Sequence, residues 1–375
     1  MKGPWLSRRS LLQGTVLAGC GGAVPPVELP EAPVLDSPVV SPLPGPVPWP
    51  GAHVAGMNLA HLHSRGRGYG SEACGRRLAR LSDIGVSHVV LTPFAYLPSL
   101  DSTDLRWGER DPTMTEADLL ACAGQVRALG MKVVLKPHIW CNAFWRAGAS
   151  RQDIRPDLGS GGWQAWFENY RAFASAQARL ATRMDASLLV VGLEYLRASV
   201  EAPGAWAEVA RVCRAEFAGE LTYAANWWRE VEVFADWSAF DVVGVNAYFP
   251  LEAGDSADAG ALARAWRPHL STLGAIAEKM QKKVVFTEAG VAPVAGAHRT
   301  PWDGGVDGEA DPERPAVYID ALLRAALPQP WFRGVCWWKW FTDDPTRGPG
   351  GERDAFRLAG TSGERMLRQW MSTRG

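Results

Sequence analysis

Apolar runs recur along the chain at regular intervals, and each is followed by a stretch with helical periodicity. Near-continuous Val, Ile, Leu and Ala runs fall at residues 53–61, 87–96, 131–140, 187–196, 220–227, 241–249, 283–291 and 332–341. A strand covered on both faces shows no polar alternation, so such runs predict parallel strands in a sheet with helices on its outer side. Between them, apolar residues return every three to four positions over 72–84, 116–129, 163–183, 205–217, 261–281 and 315–327, as amphipathic helices require. The link after the fifth run, 230–240, is short. Eight strands alternating with helices over residues 51–375 predict an α/β fold, a single (β/α)8 TIM barrel, whose functional residues gather at the strand C-terminal ends. An open doubly wound sheet is the competing architecture, but no G-x-G-x-x-G follows the first strand.

The chain ahead of residue 51 reads differently. Residues 1–19 carry SRRSLL at 7–12 and LAGC at 17–20, which resemble a twin-arginine export signal and a lipoprotein cleavage site ahead of Cys20. Residues 20–50 then read as a lipid-bearing Cys20 followed by a Pro-rich tether, extended in character and without the means to form a core. The expected location is the bacterial cell envelope, with a lipid anchor as the membrane contact. The formal net charge of -1 provides no basic field for nucleic acid. None of the six cysteines forms a C-x-x-C pair, and the five besides Cys20 are expected to be mostly buried thiols.

Two strand ends carry a glutamate. SLLVVGLE places Glu194 at the end of the fourth strand, and KVVFTE places Glu288 at the end of the seventh. In a barrel these carboxylates meet across one mouth. Cleavage of a glycosidic bond needs such a pair, because one group protonates the leaving oxygen while the other attacks or stabilises the anomeric carbon. Tyr248, at the end of strand six, and Lys136 or His138, at the end of strand three, are candidates to hold Glu288 ionised. Leu193, Tyr195 and Trp227 would surround Glu194 and keep it protonated.

Several further segments accompany these glutamates: GYGS at 68–71, LKPH at 135–138, WFENY at 166–170, LTYAANW at 221–227 (with Asn226), GVNAYFPL at 244–251, FTEAG at 286–290 and CWWKW at 336–340. Together they resemble glycoside hydrolase family 113, which contains β-mannanases. The resemblance implies Glu194 as acid/base and Glu288 as nucleophile, with no cofactor. It also implies retaining cleavage of a β-linked polysaccharide or oligosaccharide, with β-1,4-mannan as the leading substrate. Where the family pattern has a small polar residue before the acid/base, this chain has Leu193. A glucan, an amino-sugar polymer, or carbohydrate binding without turnover are the alternatives.

The 18 tryptophans add weight to a sugar cleft, since the C–H face of a sugar ring packs on indole. Trp140, Trp227, Trp228, Trp337, Trp338 and Trp340 lie at predicted strand ends. Trp338 is the expected platform under the cleaved sugar, on the ground that it shares strand parity with Trp340. His61 and His63 form a His-x-His at the end of strand one, as metal-dependent amidohydrolase barrels have, but strands five and six end without the further His ligands that chemistry needs. His61 is therefore expected to hydrogen-bond a sugar hydroxyl or a carboxylate. The glycine-rich 66–70 segment reads as a mobile rim loop.

Overall fold

The computed structural model describes residues 29–31, 48–108, 111, 113–146, 148–346 and 354–373. The segment expected to be an export signal, Cys20 and most of the expected tether lie outside the described residues. No described helix is long and apolar enough to cross a membrane.

Eight parallel strands close on themselves: β1 (Val54–Ala60), β2 (His88–Leu91), β3 (Lys132–Leu135), β4 (Ala186–Leu193), β5 (Glu220–Asn226), β6 (Val243–Asn246), β7 (Val284–Ala289) and β8 (Phe332–Phe341). Each pairs with its sequence neighbours, and β1 pairs with both β2 and β8. A helix follows each strand: α1 (Glu72–Ile84), α2 (Glu116–Ala128), α3 (Gly162–Arg183), α4 (Ala205–Glu216), the one-turn α5 (Glu230–Val233), α6 (Arg267–Met280), α7 (Arg314–Ala326) and α8 (Ser362–Met371). The fold is thus a single (β/α)8 TIM barrel.

Local chemistry sets the element ends. Ser71 accepts from the Cys74 N–H to start α1, and Gly85 at φ 100° ends it in the left-handed region that a side chain resists. Thr115 and Asp118 form a reciprocal capping box on α2. The predicted helix at 261–281 is two helices, Ala259–Ala265 and α6, because Pro268 lacks an N–H and occupies the first turn of a new one.

The second and third apolar runs are also divided. Pro93 and Pro137 cannot donate to a ladder, so β2 and β3 stop before them, and the chain resumes as Phe94–Leu97 paired with His138–Cys141 in a small sheet of its own. This extension raises His138 and Trp140 above the barrel rim.

The strands carrying Glu194 are backed by a block of aromatic side chains. Trp166, Tyr170, Tyr195, Trp206 and Tyr223 are all essentially inaccessible to solvent, and Tyr195 lies flat against Trp206 with centroids 5.7 Å apart. Burying each such ring contributes about 1.5–3 kcal/mol. Gly192 permits the contact, since a Cβ there would sit 2.7 Å from the Trp206 ring. The five described cysteines, Cys74, Cys122, Cys141, Cys213 and Cys336, are buried free thiols.

Candidate active site

Strand ends bring the charged groups together. Glu288, near the end of β7, accepts from Lys136 Nζ at 2.5 Å through Oε1 and from the Tyr248 hydroxyl at 2.9 Å through Oε2. Lys136 is wholly buried just past β3, and its ammonium also donates to Asn246 Oδ1 (3.2 Å) and to the Thr287 carbonyl (3.4 Å). Thr287 donates its hydroxyl to the same Asn246 oxygen. Asn58 of β1 ties the opposite wall by donating to the carbonyls of Thr287, Cys336 and Trp337. A carboxylate with a cation on one oxygen and a hydroxyl on the other is held in one orientation. Burial, and then the negative charge of Glu288, pushes the Tyr248 hydroxyl well above its ordinary pKa, so it remains a donor.

Glu194 follows β4 directly and occupies different surroundings. Its backbone is left-handed at φ 55°, its N–H donates to the Ala224 carbonyl of β5, and its side chain keeps 22% exposure. Burial raises its pKa above the ordinary carboxylate value, and the charge of Glu288 raises it further; Arg151, Asn246 and Lys136 act in the opposite direction. Leu193 and Tyr195 on either side are buried, as the sequence suggested. The polar group beside Glu194 comes from Asn246 on β6 rather than from position 193. Two carboxyl groups at one mouth thus occupy different surroundings, one clamped by a buried ammonium and a phenol and the other without such a clamp.

His138 lies against the rim with its ring stacked on Trp338, centroids 6.2 Å apart and planes within 8°. Arg151 donates to its Nδ1 at 3.1 Å and places its other terminal nitrogen 3.8 Å from Glu194 Oε2. Burial, and then the charges of Arg151, Lys136 and Lys339, holds the imidazole well below its usual pKa, so it is neutral at pH 7. With Nδ1 accepting, Nε2 carries the proton, and this buried N–H has no hydrogen-bond partner among the described residues.

Trp338 does not reach this position by strand parity. Trp337 pairs with Met57 and Trp340 with Leu59, so β8 advances three residues while β1 advances two, and the alternation is lost. Trp340 is fully buried beneath the guanidinium groups of Arg77 and Arg80, whereas Trp338 keeps partial exposure beside His138. Trp227 stacks on Trp302 from the loop after β7, centroids 4.9 Å apart. Asn226 spends its side-chain oxygen on the Trp228 N–H, which shapes the turn after β5. Trp140 lines a cavity of about 380 Å³ with Tyr96, Arg106 and Asn142.

His61 is engaged by the protein itself. Its Nδ1 accepts from the Tyr69 N–H and its Nε2 contacts Thr113 Oγ1, both at 3.1 Å. The contact with a sugar hydroxyl or carboxylate expected of His61 is therefore replaced by these two. His61, His63 and Asp111 form the one candidate metal cluster among the described residues. The only lone pair of neutral His61 is already committed to Tyr69, which leaves it without one for an ion. The same contacts revise the reading of the 66–70 loop. Tyr69 is buried, with its hydroxyl on the Leu59 carbonyl, and a Cβ on Gly68 would lie 2.0 Å from the His61 ring. The segment is pinned to the rim by packing, not free to move across it.

Arg151, Asn246, Trp302 and Glu230, the last a wholly buried acid behind Glu194, were not singled out from the sequence. Asn246 alone carried a usable signal, as the end of the sixth strand. Arg151 opens a three-residue 3-10 turn and Trp302 lies in a loop, and in neither does spacing give a direction.

Comparison with known proteins agrees with this architecture. The chain is similar to the family 113 β-mannanase AaManA from Alicyclobacillus acidocaldarius in complex with ManMIm, at 24% identity and a TM-score of 0.73, over 86% of this chain and 97% of that one. A family 113 β-1,4-mannanase in complex gives 22% identity and the same TM-score, over 86% and 99% of the two chains. The β-glucuronidase from Ruminococcus gnavus is a more distant likeness, with 13% identity and a TM-score of 0.57, over 85% of this chain and 50% of that one. At these identities the likenesses speak for the fold alone. No match was found among curated proteins. The model of Glycoside Hydrolase Family 113 matches residues 57–360, most of the barrel and every strand-end residue named above. The chain belongs to glycoside hydrolase family 113 and is a glycoside hydrolase, endo-β-mannanase-like.

Proposed function

We propose that the enzyme cleaves β-1,4-mannan with retention of configuration, with Glu288 as nucleophile and Glu194 as acid/base. The observation that carries this reading is the asymmetry of the two carboxyl groups. Glu288 is clamped between a buried ammonium and a phenol, whereas Glu194 sits where burial and a neighbouring negative charge favour its protonated form. In the first step Glu288 attacks the anomeric carbon while Glu194 gives its proton to the departing glycosidic oxygen. In the second, Glu194 takes a proton from water, which displaces Glu288 and restores both groups.

The surroundings suit a sugar. The buried Nε2–H of His138, which has no protein acceptor, and the partly exposed Trp338 stacked on it lie together at the rim. The Trp227–Trp302 pair offers a second stacking surface farther along the rim. The choice of mannan over other β-glycans is supported by the family and by the β-mannanase names of the similar structures. Hydrolysis of a panel of soluble β-glycans by the barrel domain, with sizing of the products, tests it. The expected result is release of mannooligosaccharides from β-1,4-mannan and little release from glucans or amino-sugar polymers. Preference for any other glycan would overturn the substrate assignment, and no cleavage of any would favour a binding protein.

A further inference from the structure

Glu230 opens the single turn after β5 and is completely buried. Three donors converge on its carboxylate: Ser199 Oγ at 2.8 Å and the Tyr223 hydroxyl at 2.7 Å on Oε1, and the Asn226 N–H at 2.7 Å on Oε2. Among the described residues no lysine or arginine forms an ion pair with it. Burial, with a smaller contribution from the charge of Glu194, raises its pKa to about 7 although all three donors act to lower it, so the donors offset only part of the cost of enclosing this acid. A buried carboxylate with three neutral donors could be no more than a brace for a turn. Its partners point to something more specific.

The Tyr223 hydroxyl has one proton, which it gives to Glu230, and it accepts the Tyr195 N–H at 2.7 Å. Tyr195 is the residue after Glu194. The Glu194 backbone is left-handed at φ 55°, a conformation that a side chain resists and that persists only where its surroundings enforce it. Enforcement comes from both sides: the Glu194 N–H is held by the Ala224 carbonyl, and the following N–H by Tyr223. Ser199 closes the loop, since its backbone N–H donates to the Tyr195 carbonyl while its hydroxyl reaches Glu230. The backbone N–H and the backbone carbonyl of residue 195 are thus both linked, through Tyr223 and Ser199, to one buried carboxylate.

We propose that Glu230 is a positioning residue for Glu194: through the Tyr223 hydroxyl and Ser199 it fixes the left-handed backbone that aims the Glu194 carboxyl group across the barrel mouth. This rests on the reading of Glu194 as acid/base. The donor count makes the carboxylate hard to replace. Glutamine could accept from Tyr223 and Ser199, but its amide would then face the Asn226 N–H, donor against donor; turned over, it would leave the Tyr223 proton without an acceptor.

The test compares Glu230→Gln and Tyr223→Phe with the wild type on β-1,4-mannan and on a dinitrophenyl β-mannooligosaccharide. The activated substrate needs almost no proton donation in its first step, so that step reports on everything except the aim of the acid. Displacing the acid should lower mannan kcat by about 100-fold with little change in KM. The pre-steady-state release of dinitrophenol should stay near the wild-type rate. Equal losses on both substrates, or no loss on mannan, would overturn the proposal. Tyr223→Phe decides the matter if Glu230→Gln does not fold, because phenylalanine keeps the ring that stacks on Phe234 with centroids 4.5 Å apart. A Glu194→Ala variant that cleaves mannan at the wild-type rate would remove the underlying reading and this proposal with it. That result is distinguishable, because it silences Glu194 itself.

Discussion

Glu288→Ala should abolish turnover of every glycoside, with a loss of about 10⁵-fold or more in kcat for both mannan and activated aryl substrates. The substitution removes the atom that forms the bond to the anomeric carbon, and no leaving group, however good, compensates for that. It also leaves Lys136 Nζ and the Tyr248 hydroxyl facing a gap where the carboxylate oxygens were held at 2.5 and 2.9 Å. Azide should occupy that gap and attack from the same side. The product would then be a glycosyl azide of inverted configuration, seen by NMR. Retention of more than about a tenth of wild-type mannan turnover would show that the nucleophile lies elsewhere.

Glu194→Ala should produce a different pattern. Mannan hydrolysis is expected to fall by about 10²–10⁴-fold, the usual range for loss of a general acid. A dinitrophenyl glycoside should still react in the first step, giving a burst of phenol and an accumulated glycosyl-enzyme, because its leaving group departs without a proton. Azide should relieve the slow second step and yield an azide of retained configuration, opposite to that from Glu288→Ala. The pH profile carries the same information. Glu194 acts in its protonated form in the first step, so wild-type activity on mannan should decline as pH rises through its raised pKa. That alkaline limb should vanish for the aryl substrate in the variant. Wild-type rates on mannan would show that Glu194 is not the acid.

Much of this geometry was visible in the residue order. A glutamate at the end of an apolar run has one place to go in a parallel barrel, and the fourth and seventh runs gave Glu194 and Glu288 their positions across the mouth. Lys136 and Tyr248 were legible for the same reason. Other features were hidden because they depend on departures from regular structure. Trp338 shows partial exposure through a register shift in β8 that strand parity cannot anticipate. Pro93 and Pro137 turned two long strands into two short ones with an added sheet, which moved His138 and Trp140 off the barrel. His61 resembled a sugar contact until the packing of Gly68 and Tyr69 showed where its nitrogens are engaged. Glu230 illustrates the deepest limit. Its role is carried by three donors from two segments, β5 and the short helix after Glu194, and nothing in the neighbouring sequence marks this glutamate as one that will be completely enclosed.

The central claim is a double displacement through Glu288, and the stereochemistry of the first product tests it most directly. A β-1,4-mannooligosaccharide should be hydrolysed at high enzyme concentration while the anomeric proton signals are followed by NMR from the first minutes. The predicted result is that the newly formed reducing end appears as the β anomer, with the α anomer growing in later by mutarotation. First appearance of the α anomer would mean that water attacks the sugar directly, and would contradict the account.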